Sequence, residues 1–190
     1  LEAYHRATQL NSALTASLNA QIKILSQGGQ AQQIKPLKAQ LDYIQSLPKP
    51  LIAVIDLLAQ GKLVKAEQIC KLFLQKNPRN VEGMRLLSQI ALKLGVLDDA
   101  EFLLESALEF SPNNSRIRIE YIQVLRKRQN YAGALHQAKV LLEMDKENPQ
   151  FQSVFAIEAM QSGDFENALI VFDKILAVSY THLRAHETQR

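Results

Sequence analysis

The chain has 190 residues, of which 47% are hydrophobic and 22% charged, and its formal net charge is +3. That composition fits a folded protein rather than a disordered or fibrous one, and so small a charge excess does not by itself indicate a nucleic-acid partner. A single cysteine, Cys70, excludes an internal disulfide and any cysteine-based metal site, and no apolar run reaches the roughly 18 residues needed to span a bilayer.

The first 46 residues are rich in Gln, Ala, Asn and Leu. Tyr4, Ala7 and Leu10 fit the end of a helix. Leu18, Ile22 and Leu25 then line a second helix at 3–4 spacing, Gly28-Gly29 makes a turn, and Ile34, Leu37, Leu41 and Ile44 line a returning helix. From Leu47 onward a 34-residue period becomes plain. Gly61, Gly95 and Gly163 keep the step, as do Ala66, Ala100, Ala134 and Ala168, and Leu74, Leu108, Leu142 and Leu176. A leucine or aromatic follows each turn at a fixed offset: Leu63, Leu97, Tyr131 and Phe165. Gly29 to Gly61 is 32 residues, so the register slips by two at the start of the array.

The clearest unit is 81–114. Met84, Leu87, Ile90, Ala91 and Leu94 predict a first helix, and Gly95-Val96 ends it. Asp98 and Asp99 suit the positive end of a second helix, which carries Ala100, Leu103, Leu104, Ala107 and Leu108 and stops near Ser111-Pro112. The same hairpin is expected at 47–80, at 115–148 with Gln129 at the turn and Lys146 in place of the final proline, and at 149–177, where Pro149 suits a first helical turn. Asn80, Asn114 and Asn148 fall in the links, where a polar side chain can satisfy stray backbone groups. The recurrent alanine predicts a close crossing of the two helices of each hairpin. The recurrent leucine predicts packing between successive hairpins. Cys70 shares a register position with Leu104 and Phe172 and reads as a small core residue. A period of this length, made of helix pairs that cannot hide their apolar faces alone, predicts an all-α stack of hairpins that binds rather than catalyses.

Leu87, Gly95, Ala100, Ala107 and Pro112 carry a resemblance to the tetratricopeptide repeat (TPR), strong over 47–177 and weak over 1–46. The usual large aromatic early in the first helix is absent; Met84 and Ile52 stand nearby. The resemblance implies a right-handed α-solenoid with a concave groove lined by the first helices. A narrower resemblance lies in Val81–Leu87, Leu94–Glu105 and Tyr121–Arg128, which are similar to the repeat array of bacterial TPR-containing sulfotransferases. That family carries a separate catalytic domain for the sulfuryl donor PAPS. No Gly-rich phosphate loop with a Lys-Ser or Lys-Thr pair occurs here, so the resemblance implies a parent protein and gives these residues no activity or cofactor. Two readings follow: a partner-presenting array of such an enzyme, or a free-standing adaptor.

Within the implied groove, Glu82, Arg85, Gln89, Lys93, Arg116, Gln123, Arg126 and Lys127 form the candidate partner-binding wall, five bases against one acid. Such a wall suits an acidic peptide or a carboxylate terminus. Glu101, Glu105 and Glu109 are expected on a wet convex stripe, with Arg116 or Arg118 offsetting their repulsion. Arg126-Lys127-Arg128 is too short to argue for nucleic acid. His5 and His136 read as surface residues. Residues 178–190 break the period, and Val178–Leu183 resembles the translated end of a sequencing-library adapter, so this stretch is read as a non-native tail. His182 and His186, four apart in it, are weak metal candidates. Leu169, Phe172, Ile175 and Leu176 are expected to stand uncovered on the last helix. The chain starts at Leu1 in mid-repeat, which leaves a signal peptide undecided; a reducing, cytoplasmic setting is the default expectation.

Overall fold

The computed structural model describes residues 1–10, 15–28 and 31–187. Gly29, expected in the first turn, lies outside the described residues, as do the side chains of Tyr4, Leu10, His182 and His186. Eleven helices follow in chain order among the described residues: α1 (Glu2–Leu10), α2 (Thr15–Gln27), α3 (Ala31–Ser46), α4 (Lys49–Ala59), α5 (Leu63–Lys76), α6 (Val81–Leu94), α7 (Leu97–Phe110), α8 (Ser115–Lys127), α9 (Tyr131–Met144), α10 (Pro149–Gln161) and α11 (Phe165–Glu187). They divide into two compact units, Leu1–Val96 and Leu97–Arg190. No helix among the described residues is long and apolar enough to cross a membrane.

The helix starts follow from short polar links. Asn80, Asn114 and Asn148 each cap the helix that follows, accepting backbone hydrogen bonds from Gly83, from Ile117, and from Gln150 and Phe151 respectively. Asn130 does the same for Gly133 at the start of α9. Each cap satisfies a first-turn amide that would otherwise lack a partner. Between the helices of a hairpin the chain reverses through a left-handed residue. Gly95 takes φ +80° there, a conformation that costs glycine nothing. Gln129 takes φ 60° at the same register position, so the third hairpin makes the identical turn against steric resistance.

In the first unit, α4, α5 and α6 enclose a core of Leu51, Val54, Ala66, Cys70, Leu86 and Ile90. Gly83 permits the tight approach of α6 to α5: a Cβ there would stand 2.9 Å from a Leu74 methyl carbon. The Cys70 thiol donates to the Gly83 carbonyl at 3.3 Å, and burial pushes its pKa up to about 12, which fits a packed, unreactive thiol. A smaller core around Leu18 and Ile44 joins α2 to α3.

In the second unit α7 packs on α8, α8 on α9, α9 on α10 and α10 on α11. The buried positions of the two first helices coincide. Ile117, Arg118, Tyr121, Ile122, Val124 and Leu125 of α8 stand 34 residues before Phe151, Gln152, Phe155, Ala156, Glu158 and Ala159 of α10. The recurrent alanines Ala66, Ala100, Ala134 and Ala168 are 0–3% exposed, and at Ala66, Ala134 and Ala168, whose hairpins lie within one unit, a larger side chain would push the paired helices apart.

The last helix departs from its predecessors. Leu108 is 9% exposed beneath the hairpin that follows, whereas Leu176 is 57% exposed and Leu169 62%. Phe172 and Ile175 are half-buried rather than bare. The helix runs on to Glu187, through the point near Ser179 where the period places a link.

Candidate functional site

Each first helix shows solvent a stripe that its buried positions leave over. On α6 the candidates Arg85, Gln89 and Lys93 follow Glu82 at helical spacing, but they do not share an environment. Arg85 is 2% exposed. Its Nε donates to both oxygens of Glu82 at 3.0 Å, and its Nη2 also reaches that carboxylate. The Tyr43 hydroxyl of α3 donates to Glu82 and lies 3.4 Å from Arg85 Nη2. Arg85 is therefore a core residue that ties α6 to α3. Gln89 is half-buried and Lys93 exposed.

On α8, Arg116, Gln123 and Lys127 lie at i, i+7 and i+11 and are all exposed. Arg116 Nε stands 3.8 Å from Glu120 of the same helix. Arg126 is 36% exposed, and its Nη2 lies 3.1 Å from Oε1 of Glu158, a residue of α10 that is 0% exposed. The sequence count of five bases against one acid thus omitted two carboxylates. Glu120 was legible as an i,i+4 partner of Arg116. Glu158 was legible only as an anomaly, because its register equivalents Ile90 and Val124 are apolar.

Two other charges fall elsewhere than expected. Glu101 pairs with Arg128, which also reaches Asp98 at 2.7 Å. Arg118 is buried, with its guanidinium donating to the Gln137 side chain and the Pro112 carbonyl. Desolvation lowers its pKa from the usual value. Tyr121 beside it is pushed up by burial and by Glu105 and Glu101. Among the described residues no group of His, Cys, Asp and Glu could hold a metal ion.

The model of the family described as the cytochrome c-type biogenesis protein H TPR domain matches residues 71–181, more than half of the chain. The chain belongs to this family. No curated protein matches it. Among solved structures, MamA AMB-1 aligns at TM-score 0.60 and 19% identity over 87% of this chain and 92% of that one. MamA MSR-1 aligns at TM-score 0.60 and 16% identity, over 88% and 98%. YrrB, titled a TPR protein with an unusual peptide-binding site, aligns at TM-score 0.59 and 17% identity, over 98% and 97%. At these identities the likeness shows the fold: an all-α array of TPR hairpins. No comparison links the chain to a sulfotransferase.

Proposed function

We propose that this TPR chain is a non-catalytic adaptor that holds an extended acidic segment of a protein partner against the exposed stripes of its first helices. The observation that carries the reading is the α8 stripe, where Arg116, Gln123 and Lys127 face solvent on a helix that buries Ile117, Arg118, Tyr121, Ile122, Val124 and Leu125. Helices already formed lose little conformational entropy on capture. Charge-assisted contacts from arginine and lysine suit carboxylates. The family match supports an adaptor over the array of a sulfotransferase, and within the family it favours a setting in cytochrome c-type biogenesis.

Fluorescence anisotropy with a labelled oligo-aspartate peptide at low salt tests the main reading. Exchanging Arg116 and Lys127, both exposed, together for alanine is expected to weaken binding several-fold and to reduce its salt dependence. Equal affinity in the double variant would remove the acidic partner. Haem staining of c-type cytochromes in a host lacking the gene tests the setting, and an unchanged cytochrome content would remove it.

A further inference from the structure

Glu158 breaks the register of its own repeat. Ile90, Val124 and Glu158 occupy one position at 34-residue steps and are 0%, 1% and 0% exposed. An apolar side chain fills such a place at no cost, whereas an ionised carboxylate needs both a counter-charge and hydrogen bonds. Glu158 has the first and lacks the second. Arg126 Nη2 lies 3.1 Å from Oε1, yet neither oxygen accepts an aligned hydrogen bond. The contact is therefore ionic and poorly directed. The Arg126 side chain is 36% exposed, one residue from exposed Lys127 and three from exposed Gln123. A planar fork of donors, held from behind by charge and open in front, is a carboxylate grip whose own protein supplies the first competitor.

We propose that Glu158 is an internal competitor for an aspartate or glutamate side chain of the partner, which binds when Arg126 turns its donors from Glu158 outward. This deepens the adaptor reading and rests on it. The exchange is balanced by one proton from solvent: Glu158, left without its counter-charge inside the unit, takes up the proton as Arg126 engages the ligand. Burial already pushes the Glu158 carboxyl above its ordinary value, and Arg126 pulls it part of the way back. Loss of that pull favours the neutral acid. Among the residues of the flanking helices whose side chains are described, Tyr131, His136, Lys139 and Glu143 on α9 and Glu166, Asp173 and Lys174 on α11 are exposed. Arg126 is the charged group that acts on the carboxylate.

The experiment is anisotropy titration of the full chain with a terminally blocked hexa-aspartate peptide between pH 7 and pH 5, where the ligand stays ionised. Glu158→Gln and Glu158→Val, the second restoring the residue of α8, are each expected to bind about tenfold more tightly than the wild type at pH 7. The wild type is expected to gain affinity as pH falls, and both variants to show a flatter profile. Arg126→Gln is expected to lose binding in either background. Wild-type binding matched by both Glu158 variants would overturn the competitor and leave the adaptor standing. Absence of binding in every variant would overturn both.

Discussion

Among the described residues the first unit buries Arg85 and the second buries Arg118 and Glu158, and Arg85 and Glu158 meet the cost of burial differently. In the first unit the buried member is a cation, Arg85, whose guanidinium is hydrogen-bonded to Glu82, with Tyr43 completing the set. Glu82 keeps a side-chain exposure of 22% and so retains contact with water. In the second unit the anion Glu158 is fully enclosed and held by one misaligned ionic contact. A satisfied network of the first kind rigidifies a packing arrangement. An unsatisfied carboxylate of the second kind is a cost that stability alone does not explain. The comparison teaches that burial of charge is not one phenomenon: geometry decides whether it fastens the fold or leaves a group ready to change partner.

The sharpest way to break this contrast is Arg126→Ala. It strands Glu158 without its counter-charge, and is expected to cost about 3 kcal/mol at neutral pH. Urea unfolding measures it, and the loss should shrink in acid as Glu158 takes a proton. A loss that is the same at pH 5 and pH 7 would mean that the carboxylate is not the cause.

Replacing the anion has the opposite sign. Glu158→Val restores the apolar register and is expected to leave stability unchanged or raise it by about 1 kcal/mol. The pH dependence follows from the direction of the shift. The folded Glu158 holds its proton more tightly than the unfolded one, for which the reference value is 4.5. Stability contributed by this group is thus greatest below the unfolded value and falls as pH rises through the raised folded value. Comparing thermal midpoints of the wild type and Glu158→Val across that window should show the slope only in the wild type. A destabilised, equally sloped variant would erase the distinction between the two units.

The smallest effect concerns the satisfied network. Tyr43→Phe removes one hydrogen bond to a carboxylate that retains Arg85, and should cost about 1 kcal/mol in the first unit. Limited proteolysis or hydrogen exchange resolved by residue should confine the change to α3 and α6. A loss as large as that from Arg126→Ala would show that Tyr43, not Arg85, is the keystone of that network.

Much of this architecture can be read without coordinates, because the features concerned are local. The step of 34 placed α6 at Val81–Leu94, the left-handed turn at Gly95, and even the glycine-like role of Gln129. The three link asparagines cap helices as expected, since a cap needs only a side-chain oxygen and an amide three residues away. The candidate wall fared differently, because exposure is not local. Arg85 and Lys93 lie on the same helix, but one enters the core and the other faces water, and only the position of Tyr43, some forty residues earlier, accounts for the difference.

By itself the amino-acid order determined helix pairs and their turns, because periodic apolar residues and capping chemistry act within one or two turns of chain. Which charges are buried and which are exposed was decided by tertiary structure alone. Ionic attraction and desolvation depend on distance through space, and Glu158 reaches Arg126 across 32 residues of sequence that do not encode the meeting.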